Sequence, residues 1–250
     1  MSLEPHKKIL VIGESCRDIF VYCSADRIAP AIPVPVLNIR HQVENGGMAQ
    51  NVYRNIHSIY SDCDILTNQN WNGITKSRYM HSESNHAFFR VDSTQDIERI
   101  VLDIERLKEY ALIVVADYNK GFLFEEDIEK ICNSHNMVFL DTKKPLGKWC
   151  LGAAYIKIND YEYRRSLDFI NSNDEAFSKV IHTKGGEGCV FLGKNYPVKK
   201  IEVKDASGAG DSFISAFAVK YLLTKDADES IRYANDCASK AVTKRGVTII

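Results

Sequence analysis

Asp205-Ala206-Ser207-Gly208-Ala209-Gly210-Asp211-Ser212-Phe213 is the stretch from which the rest of the chain can be read. Two glycines flank an alanine, directly ahead of an aspartate and a run, Phe213 to Leu223, that is apolar almost all round. Such a run predicts a central buried helix. Glycine lets the backbone turn tightly and bring several N–H groups together. At a helix start those groups lack intrahelical partners and carry the positive end of the dipole. The arrangement suits a phosphate or a developing oxyanion, and an aspartate at the same place can take a proton from a hydroxyl. Read alone, the stretch fits a plain turn as well, with Asp211 capping the helix. It is neither a P-loop, which needs Gly-Lys-Ser/Thr, nor a dinucleotide fingerprint, which follows the first strand.

Outward from this stretch, strand-like and helix-like runs alternate. Lys8-Ile-Leu-Val-Ile-Gly13, Leu112-Ile-Val-Val-Ala116, Met137-Val-Phe-Leu140 and Tyr155-Ile-Lys-Ile158 read as buried parallel strands. Helical spacing links Ala49, Val52, Ile56 and Ile59, then Ile97, Ile100, Val101, Ile104 and Leu107, then Glu125 to Cys132. Ile231, Ala234, Ala238, Ala241 and Val242 line a final helix. This rhythm predicts an α/β fold of three layers, helices on both faces of a mostly parallel sheet. Val34 to Val43 and Ser77 to Val91 break it, being extended with no helix between. They read as an edge hairpin or as a small β-lid on a single domain spanning 1–250, the lid formed by segments about 21–45 and 74–91.

Composition narrows the function classes. Lys plus Arg is 32 and Asp plus Glu is 33, a net charge of -1, so wholesale electrostatic binding to nucleic acid or an anionic membrane is not expected. No apolar run approaches the ~18 residues of a membrane span, and the first nine residues lack a signal-like apolar core, so a cytoplasmic location is the expectation. Seven scattered cysteines without a Cys-x-x-Cys pair read as reduced, buried thiols rather than a zinc site or a disulfide framework.

Asp205 to Phe213 closely resembles the C-terminal signature of the ribokinase-like (PfkB-type) sugar kinases, Asp-Thr-x-Gly-Ala-Gly-Asp-x-Phe. Other motifs follow in family order. Gly13 and Asp18 resemble the first strand and its sugar-binding aspartate, and Asn45-Gly46-Gly47-Met48-Ala49-Gln50-Asn51 the N-terminal Gly-Gly motif with its asparagine. Asn159-Asp-Tyr-Glu162 is similar to the Asn-x-x-Glu motif tied to magnesium and phosphate handling. Thr183-Lys184-Gly185-Gly186-Glu187-Gly188 resembles the loop beside the nucleotide, and Asn235 lies in the adenine-side segment. The resemblance implies a ribokinase-like fold and an ATP- and Mg2+-dependent kinase. In it Asp211 is the base, Gly208, Ala209 and Gly210 form the anion hole, and Glu162 reaches Mg2+ through water. Asp205 and Ser207 resemble the family's monovalent-cation (K+) ligands, or cap the turn.

Within that family, Arg27 to Val36 is similar to a lid segment of the bacterial D-glycero-D-manno-heptose 7-phosphate kinases, as are Asp117-Tyr-Asn-Lys120-Gly121 and Asp141-Thr-Lys143 to segments after their middle strands. This implies heptose 7-phosphate as acceptor and heptose 1,7-bisphosphate as product. Asp18, Gly46, Gly47, Asn51, Arg90, Lys120 and Lys143 are then the substrate-side candidates, with Arg90 and Lys143 as cations for the remote phosphate. Two features depart from that pattern: Met48 interrupts the usual glycine continuation, and only Gln69 to Gly73 stand where relatives carry a further helix and strand. A kinase for another small sugar, or a shortened paralogue that binds nucleotide without turnover, stays open. A lid with one apolar face implies a C2 homodimer through that lid.

Overall fold

A computed structural model describes residues 8–84, 86–93, 95–244 and 246–250. The chain begins with β1 (Ile9–Gly13), β2 (Ser15–Ile28), β3 (Pro35–Met48), α1 (Ala49–Ile59), β4 (Cys63–Leu66), β5 (Thr75–His81) and β6 (Ala87–Asp92). It continues with α2 (Ile104–Leu107), β7 (Leu112–Asp117), α3 (Glu125–Ser134), β8 (Val138–Thr142), β9 (Tyr155–Asn159), α4 (Asp160–Arg165), α5 (Leu167–Asn171) and α6 (Asp174–Lys179). The remainder is β10 (Val180–Thr183), β11 (Cys189–Phe191), β12 (Lys194–Tyr196), α7 (Ala209–Thr224) and α8 (Ala227–Ala241).

The main sheet has the order β12-β11-β10-β9-β8-β7-β1-β4. It is parallel from β4 to β10, and β11 and β12 close one edge antiparallel. Its strands are apolar on both sides because both sides are covered. Ile9, Val11, Leu112 and Val114 join a core with α1, α7 and α8, while Leu10, Ile12, Ile113 and Val115 join a second core with α2 and α3. Two cores on opposite faces make the three-layer α/β/α arrangement that the alternating runs predict. Helix α7 is buried on every side from Asp211 to Val219, packed against both α1 and α8, while Leu223 near its end is 59% exposed.

A second sheet, β3-β2-β5-β6, stands off the first. β2 leaves β1 after the single residue Glu14, and β3 runs straight into α1, so this lid rises from the C-terminal edge of the main sheet. β2 and β3 are antiparallel, β5 lies parallel to β2, and β6 completes the sheet antiparallel to β5. The Arg27 to Val36 segment forms the end and tip of the β2–β3 hairpin. A short 3-10 turn, Trp71–Gly73, carries the chain from β4 to β5, leaving β4 at the edge of the main sheet.

One helix differs from the spacing. Only Ile104–Leu107 of the Ile97 to Leu107 pattern is helical, and Val101 is 90% exposed. Ile100 N–H donates instead to the Phe122 carbonyl at 2.9 Å, tying the segment extended along the loop after β7. Asp103 then accepts from Arg106 N–H and starts the helix late. All seven cysteines are free and buried, as small apolar side chains are.

Candidate active site

A cleft of about 880 Å3 lies between the C-terminal ends of the main strands, the start of α7 and the lid. Open α/β sheets place their crevices at this edge. The glycines of α7 shape its floor. Gly208, at the helix cap, has φ +79°, a conformation glycine adopts without strain. At Gly210 a Cβ would stand 2.7 Å from Lys157 Nζ, so only glycine lets that ammonium lie over the helix start. Asp211, in the first turn, is 9% exposed. Its Oδ2 accepts from Asn51 Nδ2 at 2.6 Å, and its Oδ1 accepts from the Tyr118 hydroxyl. Burial pushes its pKa above the ordinary aspartate value, with the Tyr118 and Asn51 donors pulling part of the way back. A carboxylate so placed is a stronger base than one in water.

Behind the floor lies a chain of buried charges. Asp141 at the end of β8 meets Lys157 Nζ at 2.7 Å and Lys143 Nζ at 3.7 Å. Burial would raise its pKa, but the two ammoniums outweigh that and hold it below the usual range. Lys143 Nζ also donates to Glu162 Oε1 at 2.6 Å, and these carboxylates keep it charged despite burial. Lys144 turns the other way, to Asp117 at 2.7 Å. Asn159 caps α4 by accepting from Tyr161 and Glu162 N–H, while Glu162 accepts from Asn159 N–H and Nδ2. Glu162 is thus sealed at 2% exposure, holding Asn159 and Lys143 rather than facing the cleft. Among the described residues no group of three or more His, Cys, Asp or Glu side chains is placed to hold a metal ion.

At the lid end, Asp18 lies in strand β2 rather than on a turn, 5% exposed and ion-paired with Arg78. Gly47 makes room for it: a Cβ there would stand 3.0 Å from Asp18 Cβ and from Cys16 Sγ. Asn45, opposite Asp18 in the sheet, has a buried Oδ1 with no hydrogen-bond partner. Lys76 lines the cleft with its Nζ 2.8 Å from Met48 Sδ and 5.8 Å from the Tyr118 ring centre. Arg90 and Lys120 are not brought here. Arg90 sits on the edge strand β6, where Asp92 takes its guanidinium at 2.8 Å. Lys120 is exposed, with its backbone N–H held by Glu14 Oε1 at 2.7 Å. Gly46 lies beside the cleft, packed against Gln50.

At the other end, Thr183, Gly185, Gly186, Gly188 and Asn235 line the cleft together with apolar Val198, Ala238 and Val242. Gly188, at φ +90°, passes so close to the Tyr196 carbonyl that no side chain fits. Asn235 donates to that carbonyl at 2.9 Å. Lys184 turns aside to Glu187 at 2.9 Å. Ser207 lines the cleft, but the Asp205 carboxylate is spent on Ser207 and Gly246 N–H, at 2.9 and 3.1 Å, and shapes the loop.

The cleft residues not singled out from sequence include Tyr118, Lys157, Lys76 and Arg78. Lys157 carried a signal, since a lysine within the apolar strand Tyr155-Ile-Lys-Ile158 must find a buried partner. Lys76 and Arg78 share a face by strand alternation, and β5 is the inner strand whereas Arg90 is on the edge.

A cleft at the carboxyl edge of a three-layer sheet, floored by a glycine-rich helix start and a buried carboxylate, has the parts that phosphoryl transfer needs. The profile described as pfkB family carbohydrate kinase matches residues 101–250, and the chain belongs to that family. It is 28% identical over 295 residues to "Bifunctional protein HldE" of Helicobacter pylori (strain J99 / ATCC 700824), covering 96% of this chain and 64% of that protein. The protein of the same description from a Nitratiruptor species is 26% identical, covering 96% and 62%. The chain thus spans less than two-thirds of the length of these curated relatives. Among solved structures, Arabidopsis thaliana ribokinase complexed with ribose and ATP aligns with TM-score 0.70 at 14% identity, over 96% of this chain and 94% of that one. Escherichia coli phosphofructokinase-2 in complex with potassium aligns with TM-score 0.69 at 15% identity, over 96% and 94%. The family so described is one of carbohydrate kinases, and ribokinase-family kinases use ATP and a divalent metal.

Proposed function

We propose that the protein transfers the γ-phosphoryl group of ATP to a hydroxyl of a sugar phosphate, with heptose 7-phosphate as acceptor and heptose 1,7-bisphosphate as product. One observation carries the reading: a buried carboxylate, Asp211, held at both oxygens beside the N–H groups of Gly208, Ala209 and Gly210. The acceptor oxygen attacks the γ-phosphorus, its proton passes to Asp211, and ADP leaves. The α7 N-terminus and Lys157 stabilise the transferring charge, since such transfers rest on positioning and electrostatics. Thr183, Gly185, Gly186, Gly188 and Asn235 border the nucleotide. Magnesium would be held mostly by the nucleotide's phosphates and water, with Glu162 reaching it only through water, since its oxygens already accept from Asn159 and Lys143.

The sugar hydroxyls would meet Asp18, Asn45 and Asn51. Lys76 stands opposite Asp18 and Asp92 in the sheet, but these pair with Arg78 and Arg90, so its ammonium near Met48 Sδ supports a phosphorylated acceptor, as does Arg78 beside it. The likeness to proteins described as HldE points to heptose. The short β4–β5 connection favours a second reading, a kinase for another small sugar, because it trims the wall near the lid. ADP release with ATP and a panel of phosphorylated and free sugars tests both; equal rates with the two forms of the best sugar would defeat the sugar-phosphate reading. The lid also leaves Phe89 and Val91 48% and 51% exposed on one face, which supports a C2 homodimer through the lids. Light scattering at high micromolar concentration showing only monomer would overturn the dimer.

A further inference from the structure

We propose that Tyr118 is a positioning residue for this transfer, its hydroxyl holding Asp211 ionised and aimed at the acceptor. The inference rests on the reading of Asp211 as the base. The Tyr118 hydroxyl donates to Asp211 Oδ1 while Asn51 Nδ2 occupies Oδ2, so the carboxylate is gripped from the end of β7 on one side and α1 on the other. A carboxylate has about four acceptor positions, which leaves two for an acceptor hydroxyl.

The tyrosine is itself fixed. Its loop is tied by Asp117 Oδ1, which accepts from Asn119 N–H at 3.0 Å, and by Glu14 Oε1, which accepts from Lys120 N–H at 2.7 Å. Asn119 between these ties takes the left-handed conformation, φ +56°, which asparagine tolerates better than most residues. Glu14 is fully buried. The ring lies with the Lys76 and Lys143 ammoniums 5.8 and 5.5 Å from its centre, between the acceptor end and the buried charges. Burial, then the charges of Asp211 and Asp141, push the phenol well above its ordinary pKa. It therefore keeps its proton and acts toward Asp211 only as a donor, which favours the ionised carboxylate. Other groups acting on Asp211 are Asn51, Asp141, Lys157 and Lys143, and on Tyr118, Glu14.

Simple packing is the competing account, since the ring also touches the small core of Cys16, Met48 and Ile74. Tyr118→Phe separates the two, because it keeps the ring and removes the hydroxyl. Positioning predicts kcat about tenfold lower with KM for ATP unchanged, the size of one hydrogen bond to a charged group. It also predicts the acid limb of the kcat profile moved about one pH unit higher, so that the loss deepens as pH falls. A kcat within about twofold of the parent with a superimposable profile would overturn the inference. Asp211→Asn run beside it distinguishes the causes. If Asp211→Asn is inactive and Tyr118→Phe keeps the parental profile, only the role of Tyr118 falls. If Asp211→Asn turns over normally, the base reading itself falls and Tyr118 has nothing to position.

Discussion

Replacing Gly210 with alanine probes the floor of the cleft through a clash that can be worked out in advance. The new Cβ would stand 2.7 Å from Lys157 Nζ and 3.6 Å from its Cε. An exposed lysine would swing away, but Lys157 is 3% exposed and pairs with Asp141 at 2.7 Å. Asp141 has little to fall back on: its Oδ1 has no hydrogen-bond donor, and Lys143 stands 3.7 Å away. Losing one partner of a buried pair costs about 3–5 kcal/mol, and displacing it by a fraction of an ångström forfeits part of that, about 1–3 kcal/mol. At a helix position without such a neighbour, glycine to alanine would instead gain up to about 1 kcal/mol. The sign is therefore diagnostic. Gly210→Ala should lower Tm by roughly 2–10 °C in a chain of this size and raise the KM for ATP. In a Lys157→Ala background the same change should be neutral or stabilising. Urea unfolding of the four proteins closes the cycle. An equal cost in both backgrounds would refute the argument that Lys157 is what forbids a side chain at 210.

Lys76→Met and Arg78→Met should each raise the KM for a sugar phosphate about 10–150-fold and leave that for ATP unchanged, whereas Arg90→Ala, on the lid edge, should change neither; steady-state kinetics with both substrates varied decides this. The two buried aspartates act on stability with opposite signs. Asp141, held low, contributes stability above the unfolded aspartate value that is lost as pH falls through its own, so the deficit of Asp141→Asn at neutral pH should shrink below about pH 4. Asp211, held high, costs stability when ionised and is relieved as pH falls through its raised value, so Asp211→Asn should unfold no earlier than the parent at pH 7. Thermal melts across pH read both.

The main sheet was legible because its strands are short apolar runs with helices between, a local pattern. The start of α7 was legible because Gly208 and Gly210 announce a backbone that must turn and admit a neighbour. What stayed hidden depends on distance along the chain. Tyr118 reaches Asp211 across 93 residues, and nothing near Asp117-Tyr-Asn-Lys120 marks its hydroxyl as special. Arg90 and Arg78 are opposite each other in the lid, so strand alternation could not choose between them; the strand order does, with β5 inside and β6 at the edge. Glu162 has the spacing of a ligand motif, yet Asn-x-x-Glu is also a capping box, and the capping geometry is what forms. The spacing of Ile97 to Leu107 promised a longer helix than forms, because the Ile100 N–H finds its partner in the Phe122 carbonyl.

The most direct test of the account is acceptor-dependent ADP release from ATP by the parent and by Asp211→Asn, with nucleotide binding measured on both. The account predicts release that requires a sugar phosphate, fastest with heptose 7-phosphate. It predicts a fall of at least about 100-fold in Asp211→Asn, the lower end of what a general base supplies, while ATP still binds. Turnover by Asp211→Asn close to that of the parent would contradict it.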